Sequence, residues 1–186
     1  MMSFCQYFLC FAVFSFIGWA YETVYYSIQQ RKFVNSGFLS TCFCPIYGMG
    51  AMLDLILLGW IENPLILFFA GMVVTCSLEY FVSWLLETLF HKRWWDYTGF
   101  FLNLHGRICA EGLLAFGIGG MIIVYFVAPF LDNYFRKVKL QIIIPVCVAL
   151  MVIFISDQLY TRKHPNTGEG ITCMKEAGRL ENYVIW

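Results

Sequence analysis

Charged residues are scarce in this sequence. Asp, Glu, Lys and Arg make up 13% of the 186 residues, about half of the fraction that soluble domains carry. The net charge is zero, and no segment resembles a basic face for nucleic acid. The chain also has no Gly-x-x-x-x-Gly-Lys-Ser/Thr loop of the kind that cradles nucleotide phosphates. These absences argue against a nucleic-acid-binding protein and against an ATPase.

The eight cysteines are scattered along the chain. Most of them fall inside apolar runs, where cysteine behaves as a small hydrophobic residue. Cys42 and Cys44 form the only close pair, and no second pair or histidine at zinc spacing accompanies them. We therefore expect no disulfide framework, no bound metal and no cofactor.

Hydrophobic residues dominate what is present. They make up 60% of the chain and aromatic residues 19%, with a mean hydropathy of +0.70. A surface this apolar favours lipid over water. We predict an all-α, polytopic helix bundle in the plasma membrane over residues 1–160, followed by a polar cytoplasmic tail over 161–186. The first apolar run follows no basic segment and precedes no cleavage site, so we expect it to be retained as a membrane span.

The apolar runs predict about five transmembrane helices. The second run is the exception, because Pro45 and the glycines after it are an unusual opening for a lipid-facing helix. It either spans the membrane or forms a broken, re-entrant segment buried in protein, and Tyr47, Gly50 and Asp54 share one of its faces. We expect the spans at residues 4–28, 38 or 45 to 60, 64–90, 106–131 and 140–160.

The third span carries a polar stripe. Thr75, Glu79, Ser83 and Glu87 recur every four residues, and each step rotates the helix by about 40°, so they share one slowly winding side. A carboxylate facing hydrocarbon is costly. We therefore expect this side to face other helices or a wet cavity.

The fourth span opens with a similar pattern. Asn103, Arg107 and Glu111 are also spaced by four, so an early helix start would let Arg107 pair with Glu111. Ala115 and Gly119, with other glycines nearby, predict a seam of small residues for close helix packing.

Residues 91–107, which we call the polar island, are the densest polar segment. The island contains Trp94, Trp95 and Tyr97 beside basic residues, a composition typical of a membrane–water interface. Counting five spans places it at the same end as Glu22. We therefore predict one shared polar cluster at that end, with Arg107 paired to Glu22, Glu87 or Asp96. The candidate site or structural residues are Glu22, Tyr47, Asp54, Glu79, Glu87, Arg93, Trp95, Asp96, Asn103, Arg107 and Glu111.

Basic residues predict the orientation, because Lys and Arg favour cytoplasmic loops. Nine of them fall on the side of the first loop, the polar island and the tail, against three on the opposite side, which places the N-terminus outside and the C-terminus in the cytoplasm. The nine are Arg31, Lys32, Lys92, Arg93, Arg107, Arg162, Lys163, Lys175 and Arg179, and the three are Arg136, Lys137 and Lys139.

Several motifs carry a family resemblance. They are Gly18-Trp19-x-x-Glu22, Phe33-Val34-Asn35-x-Gly37-Phe38-Leu39, Pro45-Ile46-Tyr47-Gly48-x-Gly50, Arg93-Trp94-Trp95-Asp96-Tyr97 and Asn103-x-x-Gly106-Arg107-Ile108-Cys109. With these motifs the chain resembles the bacterial family called putative ABC-transporter type IV, or CmpB-like permeases, from about residue 16 to 120. It departs from the family pattern at Thr41-Cys42 and Ala110-Glu111, so the resemblance assigns Glu111 no role.

Three functions stay open at this level. The resemblance implies a transporter permease, which would need a separate ATPase subunit and, at this size, a homodimer. A membrane-embedded enzyme acting on a lipid or lipid-linked substrate would use His91, His105, Glu87 and Asp96 as acid–base groups beside Arg107. We favour this function less and assign no catalytic residue. A scaffolding or assembly subunit is the third reading.

Overall fold

The computed structural model describes residues 3–167. Within that range the chain consists of helices and loops, with one isolated bridge between Leu104 and Ile108. The helices are α1 (Phe4–Gln30), α2 (Pro45–Leu53, continued by the wider π-helical turns Asp54–Leu58), α3 (Pro64–Phe90), α4 (Ala110–Ile122, continued by π-helical Ile123–Val127), α5 (Ala128–Lys137) and α6 (Leu140–Thr161).

Among residues 3–167, four helical segments are long and apolar enough to cross a membrane, namely Phe4–Gln30, Pro64–Phe90, Ala110–Phe135 and Leu140–Thr161. The predicted all-α, polytopic helix bundle is thus confirmed. The second apolar segment is shorter, Pro45–Leu58, and reaches about 21 Å at 1.5 Å per residue, against about 30 Å of hydrocarbon. It begins at Pro45, the later of the two predicted starts.

Local sequence explains where the helices begin and end. Pro45 and Pro64 occupy first-turn positions, where the missing N–H costs nothing. The Asn63 side chain caps α3 by accepting hydrogen bonds from the backbone N–H groups of Leu65 and Ile66. At the other end of α3, His91 adopts the left-handed conformation that ends a helix.

The predicted start of the fourth span is wrong by about one turn. Gly106 has a φ of +66° and Cys109 is extended, so residues 106–109 belong to the loop and α4 begins at Ala110. Arg107 therefore lies outside the helix and does not share a helical face with Glu111.

Three loops meet at one end of the bundle, which we call the polar end. The side-chain amide of Asn166 donates to the backbone carbonyls of Asn35 and Gly37, at 2.7 and 2.9 Å. The indole N–H of Trp94 donates to the carbonyl of Asn166 at 3.1 Å. The loop after α1, the polar island and the segment after α6 therefore lie together, in the arrangement predicted from counting the spans. Most of the predicted tail, residues 168–186, lies outside the described residues.

Helices α1 and α2 cross very closely near the middle of α1. A Cβ atom at Gly48 would lie 2.6 Å from the carbonyl oxygen of Phe11, and one at Gly18 would overlap the ring of Tyr47. The glycines of both motifs are therefore required by the close approach of the two helices. This crossing fixes Tyr47 beside the part of α1 that carries Glu22.

The predicted small-residue seam of the fourth span lies on a different face. Gly117 and Gly120 pack against Gly71 of α3. A Cβ atom added at Gly71 would lie 4.0 Å from the Cα of Gly117 and 3.9 Å from the Cα of Gly120. By contrast, a Cβ at Gly119 would meet nothing within 4 Å, and Ala115 is exposed. Of the predicted seam residues, Gly117 and Gly120 form the close packing and Ala115 and Gly119 do not, because the spacing alone does not say which of several small-residue faces meets the neighbouring helix.

Candidate functional site

An ion-pair cluster joins the polar island to the end of α3. Glu87 Oε2 accepts from Arg93 Nε at 2.8 Å and lies 2.8 Å from Arg107 Nη2. Asp96 Oδ1 lies 3.6 Å from Arg93 Nη1, and Ser83 accepts from Arg107 Nη1 at 3.2 Å. The pairing of Arg107 with Glu87 is one of those predicted from the sequence. Each charge in the cluster has a partner, so the cluster holds the island against α3.

The polar island is folded tightly around its own side chains. The amide of Asn103 donates to the carbonyls of Thr98 and Phe100 and accepts from the backbone N–H of Gly106. The indole of Trp95 donates to the carbonyl of Arg107 at 3.1 Å. A Cβ at Gly106 would overlap Asp96 Oδ1. Asn103 therefore shapes the loop, and Trp95 is fixed in position at its inner surface.

A second polar group lies between α1 and α2. The buried Glu22 carboxylate accepts from the Ser36 hydroxyl at 2.6 Å and from the Tyr47 hydroxyl at 2.9 Å. Cys44 is buried close by, with its Sγ 4.0 Å from Glu22 Oε2. Burial, and then the charge of Glu22, raise the pKa of the Cys44 thiol well above its ordinary value. Both oxygens of Glu22 are thus satisfied, and Cys44 stays a neutral thiol.

Only one of the two carboxyl oxygens of Glu79, in α3, has a hydrogen-bond partner among the described residues. Its Oε1 accepts from the Tyr97 hydroxyl at 2.9 Å, whereas its Oε2 is buried without a hydrogen-bond partner among the described residues. Burial, and then the neighbouring Glu79 carboxylate, raise the pKa of the Tyr97 phenol. Tyr97 therefore remains an O–H donor at neutral pH.

Two cavities meet at this second polar group. One, of about 380 Å³, lies between α1, α2, α3, α4 and the island, and is lined by Glu22, Tyr47, Glu79, Trp95 and Tyr97 among others. The other, of about 340 Å³, lies on the side of α6 and the loop after α1. Glu22, Ile46 and Trp95 line both cavities, so they form the wall that the two cavities share. We call the larger one the α1–α4 cavity.

The polar stripe of α3 faces the protein, as predicted. Ser83 and Glu87 contact Arg107, and Glu79 contacts Tyr97. Deeper in the bundle, Thr75 donates to Asp54 Oδ1 at 3.3 Å. Every member of the stripe thus has a polar partner on another element.

The single shared cluster predicted from the sequence is in fact two groups. Glu87, Arg93, Asp96 and Arg107 form the ion-pair cluster, whereas Glu22, Tyr47 and Glu79 line the α1–α4 cavity. The separation arises because consecutive stripe positions on α3 are a turn apart and meet different neighbours. Asp54 lies apart from both groups, buried at 2% exposure against α3 and α4.

The residues predicted from the sequence differ in part from those that form the site in the structure. Glu111 is exposed at the start of α4, and its Oε2 lies 3.9 Å from the Cys109 thiol. Sequence reasoning did not select Ser36 and Tyr97, which bond to the two buried carboxylates. The Tyr97 position in the Trp-Trp-Asp-Tyr motif was the available signal, since a tyrosine in an interfacial loop can turn its hydroxyl inward.

Comparison with known proteins gives one match. No curated protein and no solved structure is significantly similar to the chain. The family described as "Putative ABC-transporter type IV" matches residues 9–162. That range contains α1 to α6 almost entirely, both cavities and the ion-pair cluster. The chain therefore belongs to this ABC-transporter type IV (CmpB) family.

Proposed function

We propose that the chain is the permease subunit of a transporter and that its solute passes through the α1–α4 cavity. The observation that carries the proposal is the pair of carboxylates, Glu22 and Glu79, lining a cavity of about 380 Å³ inside a bundle of apolar helices. Ionisable groups within a membrane are costly and generally mark substrate or ion pathways. The second cavity, which shares Glu22, Ile46 and Trp95, extends the path on the other side of this wall.

The ion-pair cluster has a different role in this proposal. Glu87 is paired with two guanidinium groups, so it is not available as an acid or base. His105, another of the four acid–base candidates of the enzyme hypothesis, bonds to the Tyr80 hydroxyl at 2.8 Å. The cluster anchors the island that carries Trp95 and Tyr97 to the wall of the cavity.

Energy comes from a separate ATPase subunit in this proposal. The sequence lacks a phosphate-binding loop of its own. The polar end carries most of the basic residues, which supports placing it in the cytoplasm, and Arg31 and Lys32 are exposed there. An ATPase would dock at this end, and a chain of this length would work as a homodimer.

Plugging the cavity tests the proposal. Gly119 lines the cavity, and a Cβ there meets nothing within 4 Å, so Gly119→Leu fills the space without a backbone clash. The matched control is Ser77→Leu, which places the same side chain at an exposed position on α3. Membrane vesicles prepared from cells that also supply the ATPase are incubated with a mixture of small solutes, with ATP or a non-hydrolysable analogue.

Mass spectrometry then measures the solutes that the vesicles retain. We expect an ATP-dependent change in at least one solute for the wild type and for Ser77→Leu, and none for Gly119→Leu at equal protein abundance. Identical solute profiles for the wild type and the plugged variant would rule out a path through this cavity.

A further inference from the structure

We infer that the α1–α4 cavity binds an organic cation, a primary or secondary ammonium group on an apolar body, with Glu79 as its anchor. The inference names the substrate class of the proposed permease, and its meaning for transport rests on that proposal. The binding site itself stands on the geometry of the cavity.

Glu79 has a buried carboxyl oxygen that no described residue satisfies. The residue is only 5% exposed, and its Oε2 lacks a hydrogen-bond partner among the described residues. A buried polar atom without a partner is costly and rare in folded proteins. This holds whether the carboxyl is ionised or protonated, because either form leaves Oε2 unsatisfied. An N–H donor on a ligand in the cavity supplies what is missing.

The ionisable side chains that line the cavity favour a cation over an anion. The described residues that line the cavity include two carboxylates, Glu22 and Glu79, and no Lys, Arg or His. Arg93 and Arg107 are near in sequence to the lining residues but are paired with Glu87. Glu22 already accepts from two hydroxyl groups. A cation at Glu79 is thus favoured by both carboxylates, whereas an anion is repelled.

Aromatic and small residues make up much of the remaining cavity lining. Tyr47, Trp95, Tyr97 and Phe116 supply aromatic rings around the two carboxylates, and ring faces attract cations, particularly when desolvated. Small residues, Gly112 and Gly119, leave room on the α4 side. At about 380 Å³ the cavity falls in the range of small-molecule sites. An apolar body with one ammonium group matches this combination better than a metal ion or a polar solute.

A binding titration tests the inference. The full chain is placed in nanodiscs of phosphatidylcholine and titrated with 2-phenylethylammonium, with binding measured by calorimetry and by the change in total tryptophan fluorescence. The neutral analogue 2-phenylethanol and the anion 3-phenylpropanoate have a similar body and serve as ligand controls. We expect saturable binding of the ammonium compound and affinity at least about tenfold lower for both controls, because each lacks the charge-assisted hydrogen bond.

Variants locate the site. Glu79→Gln should weaken ammonium binding about tenfold or more, and Gly119→Leu should abolish it by filling the space. The control Glu62→Gln removes an exposed carboxylate at the opposite end of α3 and should bind as the wild type does. If Glu79→Gln does not fold, the ligand series and Gly119→Leu still decide the question. Equal binding of 2-phenylethanol, or unchanged binding by a folded Glu79→Gln, would overturn the inference.

The same titration shows whether the native ammonium group belongs to a lipid headgroup or to a free solute. Together with the transport assay, it also distinguishes failure of this inference from failure of the permease proposal. If adding phosphatidylethanolamine weakens probe binding, the native ammonium belongs to a lipid headgroup; if it does not, the ligand is a free solute. Both results require that the site exists. ATP-dependent transport without ammonium binding would contradict this inference and leave the permease proposal in place. Ammonium binding without transport would contradict the permease proposal and leave the binding site in place.

Discussion

Arg107 Nη2 lies 2.8 Å from Glu87 Oε2, although one residue belongs to the loop after α3 and the other to the last turn of that helix. Arg93 reaches the same oxygen at 2.8 Å. The side chains are largely shielded, with 11% of each arginine and 23% of the glutamate exposed. One carboxylate oxygen therefore holds the polar island in place through two guanidinium groups.

Removing that carboxylate should loosen the island. Glu87→Gln leaves two poorly hydrated guanidinium groups with weaker partners, and we expect a loss of about 2 kcal/mol, below the value for fully buried pairs because Glu87 is partly exposed. Thermal unfolding in detergent, followed by tryptophan fluorescence, measures the loss. The control Glu111→Gln replaces an exposed carboxylate in the first turn of α4. A melting temperature for Glu87→Gln equal to that of the control would contradict the anchoring role.

Gly48 should not tolerate even a methyl group. A Cβ there would lie 2.6 Å from the Phe11 carbonyl oxygen, and a backbone atom can move away only if the helices separate. We expect Gly48→Ala to destabilise the protein by about 1–3 kcal/mol through overpacking. Gly119→Ala, which has open space around the added atom, should be neutral or slightly stabilising because alanine favours the helix. Thermal melts of the two variants make the comparison, and equal melting temperatures would argue against a tight α1–α2 crossing.

Asp157 should control the order of the loop after α1. Its carboxylate accepts from the backbone N–H groups of Ser40 and Thr41, at 3.3 and 3.0 Å, and from the Thr41 and Thr161 hydroxyls. Asp157→Ala removes the acceptor of all four hydrogen bonds at once and should cost about 2 kcal/mol or more. Faster tryptic cleavage after the exposed Arg31, read by mass spectrometry, reports the loosened loop.

The control for this experiment is Glu62→Ala, an exposed acid at the opposite end of the bundle. It should be cleaved at the wild-type rate. Cleavage of Asp157→Ala at that same rate would show that the carboxylate does not hold the loop.

The hydroxyl group of Tyr97 should contribute to the stability of the protein. Tyr97→Phe keeps the ring but leaves Glu79 Oε1 without its donor at 2.9 Å, so both oxygens of a buried carboxyl become unsatisfied. We expect a loss of about 2 kcal/mol, because a buried polar atom left without its hydrogen-bond partner costs roughly 1–3 kcal/mol. Chemical denaturation in detergent measures it. Tyr21→Phe, an exposed tyrosine lining the same cavity, should behave as the wild type, and equal stability of the two variants would contradict the role of the hydroxyl.

Helical periodicity accounts for the part of the site that could be predicted. The spacing of Thr75, Glu79, Ser83 and Glu87 fixes a common side of α3 whatever the rest of the fold does, and that side does face the protein. The Arg107 and Glu87 pair was also foreseeable, because the cost of an isolated charge in a membrane requires a partner at the same end.

Loop geometry accounts for what could not be predicted. Leu102, His105 and Gly106 have positive φ values, so the polar island follows no helical period and its side chains cannot be placed by counting residues. The island turns Tyr97 towards Glu79 and Arg107 towards Glu87. A helical register carried back from α4 instead assigned Arg107 to the face of Glu111.

The sequence by itself determined that this protein is a bundle of apolar helices with its few charges gathered towards one end, because composition and helical period are local properties that lipid solvation constrains strongly. Only the tertiary structure decided that those charges form an anchored ion-pair cluster and a separate cavity with an unpaired Glu79 oxygen. Which carboxylate finds a partner depends on the crossing of α1 with α2 and on the fold of the island. Both are set by packing between segments that are distant in the chain.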